Sequence, residues 1–462
     1  YNSNCAGRLT EHGRIFAVGT PWSKCLLPDT KVVTAGGMKP ASEVTADDLL
    51  LVGPGRWERP VAMESKEVDK EVVVLDVMGI GDPIEITDNH RVPTTEGLRF
   101  ASDLEAGDVL FLERSPLWTD PEAEILQREP APTRRAREPS AAWSARETKP
   151  VTRSKVNKEA LEADIAQGLT YAEISRKHGY SGRRNHIQYL VRRFGIEPRH
   201  QEFDAPDGFS LKPTWWKFAG YWLAEGYFHG GSEGGVSLTF GGTEEERGFA
   251  EDAAATAKES LGVPVRVYRT HNTTKVTFQC LRAARWLREH LGDGARNKRV
   301  PPWMERIPFQ YAQPFLLAYW KGDGSLTTLN TARFHTTSCT LAYGVQRWLA
   351  NLGHPSLVFS FLTRPIGRSP GGLPNFEVRC SIQVAATLGL PVVVRRRRPT
   401  QVRIDGDRLL FPVREVTRKR FVGRVYDFQT STGWFAATNV TVHNTDLYHH
   451  LAKTEGWVSK KF

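Results

Sequence analysis

The chain has 462 residues with 40% hydrophobic and 25% charged side chains, which is typical of soluble globular proteins with several domains. It contains no run of eighteen apolar residues, so neither a membrane-spanning helix nor a membrane partner is expected. The net charge of +10 favours a polyanionic partner such as nucleic acid, and five scattered cysteines indicate free thiols in a reducing, cytoplasmic compartment.

Residues 1–24 lack a basic stretch followed by an apolar one. No secretory signal is therefore expected, and the chain is predicted to begin inside a longer protein. Residues 25–113 follow with short runs rich in β-branched residues, at 31–34, 72–75 and 84–87, separated by Gly, Asp and Pro. This alternation of strand and turn signals predicts a compact all-β unit.

Residues 114–155 are rich in Pro, Arg, Glu and Ala and show no sustained period, which predicts a linker or a poorly ordered tether. In residues 156–200 the pattern becomes helical, because apolar residues recur at helical intervals. These residues are Leu161, Ile165, Ile174, Ile187, Leu190 and Val191.

Gly179 separates two helical stretches, and the second one is strongly basic. Its arginines are Arg183, Arg184, Arg192 and Arg193. This arrangement predicts a small helix-turn-helix-like insert in which the four arginines bind DNA. The alternative is a basic helical hairpin that only packs against its neighbours.

An internal repeat occupies residues 201–398. Residues 218–226 read Phe-Ala-Gly-Tyr-Trp-Leu-Ala-Glu-Gly, and residues 316–324 read Leu-Leu-Ala-Tyr-Trp-Lys-Gly-Asp-Gly, which is an offset of 98 residues. Residues 399–444 return to strand character. These patterns predict a multidomain chain in which an all-β unit is split around an α+β repeat domain with a small helical insert.

Cys25 can begin a reaction in which the chain cuts itself without water. Its sulfur can attack the carbonyl carbon of Lys24 and form a thioester, provided that the amide is twisted and its nitrogen is protonated. Thr87 and His90 stand in a Thr-x-x-His spacing that could supply this help. We expect His90 to act as the general acid on the departing nitrogen and Thr87 to act as a hydrogen-bond donor.

A second set of reactive residues lies near the other end of the chain. The hydroxyl of Thr445 can accept the acyl group. The side-chain amide of Asn444 can cyclise onto its own carbonyl carbon and release the insert. His443, which comes immediately before it, can polarise that carbonyl.

The order of these motifs resembles that of inteins with a Hint-type splicing fold. The matching segments lie at 25–30, 87–90, 425–428 and 442–445. The resemblance implies class 1 splicing without a cofactor, in which residues 25–444 leave and the flanks are ligated.

The same resemblance gives Asp427 a role as the acid that helps to pass the acyl group from Cys25 to Thr445. Many inteins carry a further histidine shortly before the final His-Asn pair, but Gly433 and Trp434 occupy that stretch here. We therefore expect the Asn444 step to be the slower one.

The repeat carries a second kind of chemistry. In each copy two small residues stand four apart on one helix face, where they allow two helices to approach closely. These residues are Gly220 and Ala224 in the first copy, and Ala318 and Gly322 in the second. An acidic residue follows in both copies, Glu225 and Asp323, so the packing would bring two carboxylates together. Such a pair can bind Mg²⁺ and support phosphodiester cleavage.

Residues 201–398 therefore resemble a two-copy LAGLIDADG homing endonuclease. The resemblance implies a monomer that makes a Mg²⁺-dependent double-strand cut in the intein-less host gene. It also implies a role for Lys298, in a strand region ahead of Pro301, and a phosphate-binding counterpart at Arg395 or Arg396. The alternative is a decayed nuclease that binds DNA without cutting it.

The flanks, residues 1–24 and 445–462, are predicted to contain an apolar strand ending in Gly-Thr and a helix opened by Asp446. They resemble the ATPase coupling region of phage large terminase subunits, which implies a phage-infected or prophage-bearing bacterial cell. They contain no phosphate loop, so this chain alone is not expected to hydrolyse ATP. The opposing hypothesis is an inert insert in a terminase ATPase.

Overall fold

The computed structural model divides the chain into two compact units, one of residues Ala131–Asp204 and one of the residues before and after it. The structure describes residues 25–132, 204–228, 234–327, 331–363, 371–390, 392 and 401–443. It also describes residues 156–196, with the exception of 168, 170 and 181–183. The predicted site residues Arg183, Arg395, Arg396, Asn444 and Thr445 lie outside the described residues, as do both flanks.

No described helix is long and apolar enough to cross a membrane. The four cysteines in the described part of the chain are free thiols.

Residues 25–113 form nine strands where β-branched residues alternate with turn residues. The strands are β1 (Lys31–Thr34), β2 (Gly37–Pro40), β3 (Leu50–Gly53), β4 (Arg56–Glu58), β5 (Ala62–Val77), β6 (Ile84–Thr87), β7 (Arg91–Thr94), β8 (Gly97–Phe100) and β9 (Val109–Glu113). Their inward-facing residues, such as Val32, Val72 and Ile86, are fully buried and supply the core of this region.

Residues 114–132 are better ordered than the linker or poorly ordered tether that their composition predicts. They contain a short helix, α1 (Pro121–Leu126), whose first turn is capped by the Asp120 side chain. Arg114 donates to the carbonyl of Ala350 at 2.6 Å, and buried Glu129 pairs with Arg282. These charged residues are ordered by partners far away in the chain, which local composition cannot reveal. Residues 133–155 lie outside the described part.

The unit Ala131–Asp204 contains three helices, α2 (Lys158–Ala166), α3 (Tyr171–Lys177) and α4 (Arg184–Arg193). The apolar residues spaced at helical intervals form its core together with Val156 and Ile196. Buried Asp164 on α2 accepts a hydrogen bond from Lys177 at 2.5 Å and contacts His178 Nε2 at 2.5 Å. Gly179 has a φ of 75°, and it lies between α3 and α4.

Each copy of the repeat folds as helix, two strands, helix, two strands, helix. The first copy contains α5 (Pro213–Glu225), β10 (Gly226–Phe228), β11 (Gly235–Gly241), α6 (Glu244–Leu261), β12 (Arg266–Arg269), β13 (Thr273–Gln279) and α7 (Leu281–Trp286). The second contains α8 (Phe309–Asp323), β14 (Gly324–Leu326), β15 (Ala332–Thr336), α9 (Cys339–Asn351), β16 (Ser356–Leu362), β17 (Pro374–Cys380) and α10 (Ile382–Thr387). Each copy has one antiparallel four-stranded sheet, ordered β10-β11-β13-β12 and β14-β15-β17-β16.

The remaining strands return to the first β-rich region. They are β18 (Arg403–Asp405), β19 (Arg408–Gln429), β20 (Trp434–Ala437) and β21 (Val440–His443). The long strand β19 pairs with β9 near its start and with β5 over the rest of its length. The hairpin β20–β21 joins β1 through the pair Val32 and Ala437. Strands from both ends of the described chain therefore share two sheets.

Candidate active sites

Cys25 is inserted between two strands that belong to distant parts of the chain. The neighbouring Leu26 exchanges two backbone hydrogen bonds with Tyr426 in β19, at 2.8 and 2.9 Å, and it also bridges Ile86 in β6. In antiparallel pairing, the residues on either side of these pairs also face each other. This register brings Cys25 opposite both Thr87 and Asp427.

The contact between Cys25 and Thr87 holds the nitrogen of the bond that the sequence predicts to break. The Cys25 amide N–H donates to Thr87 Oγ1 at 3.0 Å, and the Thr87 N–H donates to the Cys25 carbonyl at 3.0 Å. All of Thr87 and His90 is shielded from solvent. The hydroxyl of Thr87 accepts at this nitrogen. A hydroxyl can also donate, so the donor role expected from the sequence stays a prediction. A planar amide nitrogen has a proton but no lone pair to offer, so it can only donate.

The Thr-x-x-His spacing corresponds to a tight turn at the end of β6. The His90 N–H donates to the Thr87 carbonyl at 2.9 Å, which is the i to i+3 bond of a β-turn. The His90 carbonyl then accepts from Ala101 at 2.7 Å. The turn therefore brings the imidazole to the same buried end of β6 as the Thr87 hydroxyl.

The electrostatics of this site keep the Cys25 thiol protonated. Burial, followed by the negative charge of Asp427, raises the pKa of the Cys25 thiol to about 12, although Lys66 and Lys70 act in the opposite direction. Asp427 is itself 1% exposed. The thiol is therefore protonated at neutral pH, and a buried carboxylate lies close enough to influence it.

His443 lies at the end of β21 and is mostly buried. Trp434 is its cross-strand partner in β20, and the two rings meet edge to face with centroids 4.3 Å apart. Trp434 therefore covers His443 with an apolar ring in the stretch where many inteins carry a second histidine.

The repeat helices α5 and α8 pack backbone to backbone. A Cβ added to Gly220 would lie 2.2 Å from the Phe315 carbonyl oxygen, and one added to Gly322 would lie 2.4 Å from the Ala224 Cβ. Both distances are far inside van der Waals contact, so only glycine fits. The small residues thus occupy the helix interface that their spacing predicts.

Glu225 and Asp323 are the last residues of these two helices. The glycines that follow have φ values of −85° and −106°, so they do not end the helices in a left-handed conformation. Glycine is needed at both positions because there is no space for a side chain. A Cβ on Gly226 or Gly324 would lie within 2.4 Å of a carbonyl oxygen four residues earlier.

The two carboxylates and Lys298 influence one another electrostatically. Burial and then the charge of Asp323 raise the pKa of Glu225 to about 7, and burial raises that of Asp323 to about 6. Burial lowers the pKa of Lys298 to about 8 although both carboxylates oppose this shift. The Lys298 ammonium donates to the carbonyls of Ala224 at 3.0 Å and Trp222 at 3.3 Å. Lys298 follows the short helical turn Ala295–Asn297 in extended backbone and is not part of a strand.

This donor set fits a magnesium ion. A divalent cation beside Glu225 and Asp323 would favour the charged form of both carboxylates and so oppose the rise in their pKa values. The described residues contain no group of three or more His, Cys, Asp or Glu side chains placed to hold a metal. Mg²⁺ commonly takes one or two carboxylates and fills its other positions with water and phosphate oxygens.

One polar surface was missed by the motif-based reasoning. Cross-strand register places seven residues on one face of the first sheet, namely Tyr227, Ser237, Thr239, Arg266, Tyr268, Lys275 and Thr277. A similar face of the second sheet carries Ser325, Arg333, His335, Phe359, Glu377 and Arg379. The opposite faces supply buried apolar residues, such as Leu238 and Val276 in the first sheet and Phe334 and Val378 in the second. The alternation of β13 could have revealed this surface from sequence.

The predicted DNA-binding arginines are only partly described. Arg184 and Arg192 belong to the backbone of α4, and Arg193 at its end is partly exposed. The structure therefore places three of the four predicted arginines on one helix and leaves their contacts with DNA as a prediction.

The comparisons with known proteins give partial similarities. No protein-family model matches. The ATP-dependent DNA helicase Hel308 of Thermococcus kodakarensis is 26% identical over 450 residues, which is 94% of this chain and 37% of the helicase. An iron–sulfur cluster assembly SufBD family protein of Mycobacterium tuberculosis is 25% identical over 435 residues, which is 92% of this chain and 41% of that protein. The chain thus spans less than half the length of these relatives.

Solved structures with partial similarity include a homing endonuclease and two inteins. I-DmoI in complex with DNA and Mn is 13% identical, with a TM-score of 0.28, and the match covers 40% of this chain and 99% of I-DmoI. The gp41-1 intein is 24% identical, with a TM-score of 0.18, over 19% of this chain and 68% of the intein. An Ssp DnaB mini-intein variant is 18% identical, with a TM-score of 0.19, over 21% and 65%. None of these names supports a terminase-like host.

Proposed function

We propose that the chain is a precursor that splices out residues 25–444 and joins Lys24 to Thr445. The observation that supports this most is the hydrogen bond from the Cys25 nitrogen to Thr87 Oγ1, in a buried site that also contains His90 and Asp427. The relatives add support, because a helicase and an iron–sulfur assembly protein match over nearly the whole chain while it spans less than half of each. This pattern is expected of one insertion carried by unrelated hosts.

The first half of the reaction transfers the upstream flank. The Cys25 thiol gives up its proton to a buried base and attacks the Lys24 carbonyl carbon, while His90 protonates the departing nitrogen. The products are a thioester and the free amine of Cys25. The Thr445 hydroxyl then attacks the thioester, and the proton that it loses returns to the Cys25 sulfur with help from Asp427. An ester now links the two flanks in a branched intermediate.

The second half releases the insert. The Asn444 side-chain nitrogen attacks its own carbonyl carbon, and His443 polarises that carbonyl. The peptide bond to Thr445 breaks, leaving a cyclic imide on the insert and a free amine on Thr445. This amine then attacks the ester between the flanks and converts it to an amide.

Mass spectrometry of the purified precursor under reducing conditions tests this proposal. We expect a ligated product of flanks 1–24 and 445–462 together with a free insert of residues 25–444. Cys25→Ala should abolish ligation and leave only slow cleavage after Asn444. Intact wild-type precursor that persists, with a profile unchanged by Cys25→Ala, would contradict splicing.

We further propose that the repeat domain cleaves double-stranded DNA. Its support is the close packing of α5 and α8, which ends in two half-buried carboxylates that interact electrostatically with buried Lys298. A bound Mg²⁺ would polarise the scissile phosphate and activate a water molecule. Glu225 and Asp323 would hold that ion, and the polar sheet faces would contact the DNA backbone.

DNA carrying the joined host sequence is the substrate that tests this activity. We expect a double-strand cut with Mg²⁺, no cut with a chelator, and loss of cutting in Glu225→Gln. The matched control is Glu245→Gln, since Glu245 is exposed on α6. Cutting that survives Glu225→Gln would contradict the assignment of the site. Tight binding without any cut would instead support the decayed nuclease.

The host assignment rests on the flanks alone. We propose that they belong to a large terminase subunit of a phage, as their strand-to-helix pattern suggests. The expected outcome is that the ligated flanks, restored to the full host protein, support ATP hydrolysis, and that this chain by itself does not.

A further inference from the structure

The tip of the hairpin β20–β21 is unusual because it is completely buried. Thr438 and Asn439 form a two-residue loop with φ values of 46° and 58°, which is the conformation that tight hairpins require. Neither residue is exposed at all. Hairpin tips normally lie at the surface, so this one must be held by other parts of the chain.

Two parts of the chain hold the tip. The Thr438 N–H donates to the Lys31 carbonyl at 2.7 Å, and the Asn439 side chain is bonded to helix α9 of the second repeat copy. Asn439 Oδ1 accepts a hydrogen bond from Arg347 Nη1 at 2.7 Å. Asn439 Nδ2 donates to the Tyr343 carbonyl at 3.1 Å and to Gln346 Oε1 at 3.0 Å. One side chain at the hairpin tip therefore makes three bonds, all of them to α9.

Helix α9 is a rigid support for this contact. Arg347 forms a buried, multiply hydrogen-bonded ion pair with Glu305, at 2.6 to 3.1 Å. Both members are at most 6% exposed, so the geometry is closely defined and costly to break.

The same helix also binds the loop between β5 and β6. Gln346 Nε2 donates to the Gly79 carbonyl at 2.8 Å, and the Tyr343 hydroxyl accepts from the N–H groups of Gly81 and Asp82 at 3.1 Å. This loop leads directly into β6, which ends at Thr87. Helix α9 therefore contacts both the hairpin that ends at His443 and the loop that precedes the Thr87 strand.

We infer that Asn439 is a positioning residue for the downstream cleavage, acting by fixing β21 on α9. This inference rests on the proposed splicing function. His443 lies four residues beyond Asn439, which is about 13 Å along a strand. A tip that is free to move would displace His443 and the bond after Asn444. The upstream site has its own fixation, because Cys25 is bonded to β6 and its neighbour Leu26 to β19.

Asn439→Gly tests the inference in the full precursor. Glycine keeps the left-handed turn but removes all three hydrogen bonds to α9. Thr438→Gly is the matched control, because it changes the same turn and leaves the bonds of Asn439 in place. It removes the 3.3 Å bond from the Thr438 hydroxyl to the Lys31 carbonyl and keeps the backbone bond from the Thr438 N–H to the same carbonyl. The upstream step is followed by thiol-induced cleavage at the Lys24–Cys25 bond. The downstream step is followed by release of the 445–462 flank in a Cys25→Ala background.

For Asn439→Gly we expect downstream release to slow at least about tenfold, because a misplacement of ~1 Å can cost up to about 100-fold. Upstream cleavage should stay within about twofold of the parent, and both steps should do so in Thr438→Gly. Amide hydrogen exchange should increase in β21 and stay unchanged in β6.

Three results would overturn the inference. They are unchanged downstream release in Asn439→Gly, equal slowing of both steps in that variant, and a downstream loss of the same size in Thr438→Gly. A parent precursor that cleaves at neither bond would instead contradict splicing itself. The two failures are distinguished by measuring the parent first.

Discussion

The nitrogen of the predicted upstream scissile bond already has its partner before any bond breaks. The Cys25 N–H points at the Thr87 hydroxyl, and this contact requires a β6 strand that ends beside Cys25. The bond fixes the plane of the amide relative to the sulfur of the same residue. His90 is placed by the turn that begins at Thr87, so a single tight turn arranges two of the proposed catalytic groups.

Trp434 sets an expectation for the order of events. Its indole packs against His443 and cannot act as an acid or base, so we expect the Asn444 step to be slow and the branched intermediate to accumulate. Trp434→His should increase downstream release by about tenfold, a fraction of what a positioned acid–base group can supply. Trp434→Phe, which keeps the packing, is the control. A gel time course that shows only unreacted precursor would contradict this expectation.

Asp164 gives a prediction about pH. Burial alone would raise the pKa of this carboxyl, but hydrogen bonds and charge from Lys177 and His178 prevail and lower it. Its stabilising effect should therefore be complete above about pH 4, the ordinary range of the group, and should be lost as the pH falls through the lowered pKa.

The measurement is hydrogen exchange of peptides from α2 and α3, corrected for intrinsic rates, in wild type and Asp164→Asn. The variant should be less protected at neutral pH, by about 1.5–3 kcal/mol, since bonds to a charged group are removed. The difference between the two proteins should shrink in acid. A difference that is constant with pH would show that the charge of Asp164 is not responsible.

At the scale of elements, the helix pair α5 and α8 depends on the absence of two side chains. Gly220→Ala should destabilise the protein by about 1–3 kcal/mol and reduce DNA cleavage, because the added methyl group forces the helices apart. Gly248→Ala is a matched control on α6, where an added Cβ meets nothing within 4 Å. It should stabilise by about 0.5–1 kcal/mol. Denaturant unfolding checks both, and equal effects would contradict the packing argument.

At the scale of the whole molecule, the unit Ala131–Asp204 is inserted between two points that lie close together. Arg282 donates to the Pro130 carbonyl at 2.6 Å and to the Ala205 carbonyl at 3.0 Å, so a short linker can bridge the gap. Replacing residues 133–203 with a Gly/Ser linker should leave splicing intact. Binding to target DNA should weaken. The slope of its affinity against salt concentration, on logarithmic axes, should become less steep by about 0.9 for each phosphate that the protein no longer neutralises.

Titrating DNA binding against salt concentration, for the full chain and the shortened one, checks this prediction. Deletion of residues 133–203 also removes Arg183, Arg184, Arg192 and Arg193. Identical affinities and slopes would mean that the helical unit does not bind DNA, in agreement with the alternative of a basic hairpin that only packs.

Local patterns were enough to predict several features of this protein. Residue spacing predicted the strands of 25–113, the helical core around Ile174, and the repeat with its small residues and terminal acids. These features depend on residues that are neighbours in the chain, and a period or an i to i+4 relation expresses them directly.

Other features were decided only by the tertiary structure. The ordering of residues 114–132 and the acceptor role of the Thr87 hydroxyl arise from partners far away in sequence. The same is true of Asn439, whose partner Arg347 lies 92 residues earlier. The raised pKa values of Glu225 and Asp323 arise first from burial in the folded chain. Sequence determined which reactive groups are present and in what order. Burial and the register of distant strands determined how those groups face one another, because both depend on the packing of the whole chain.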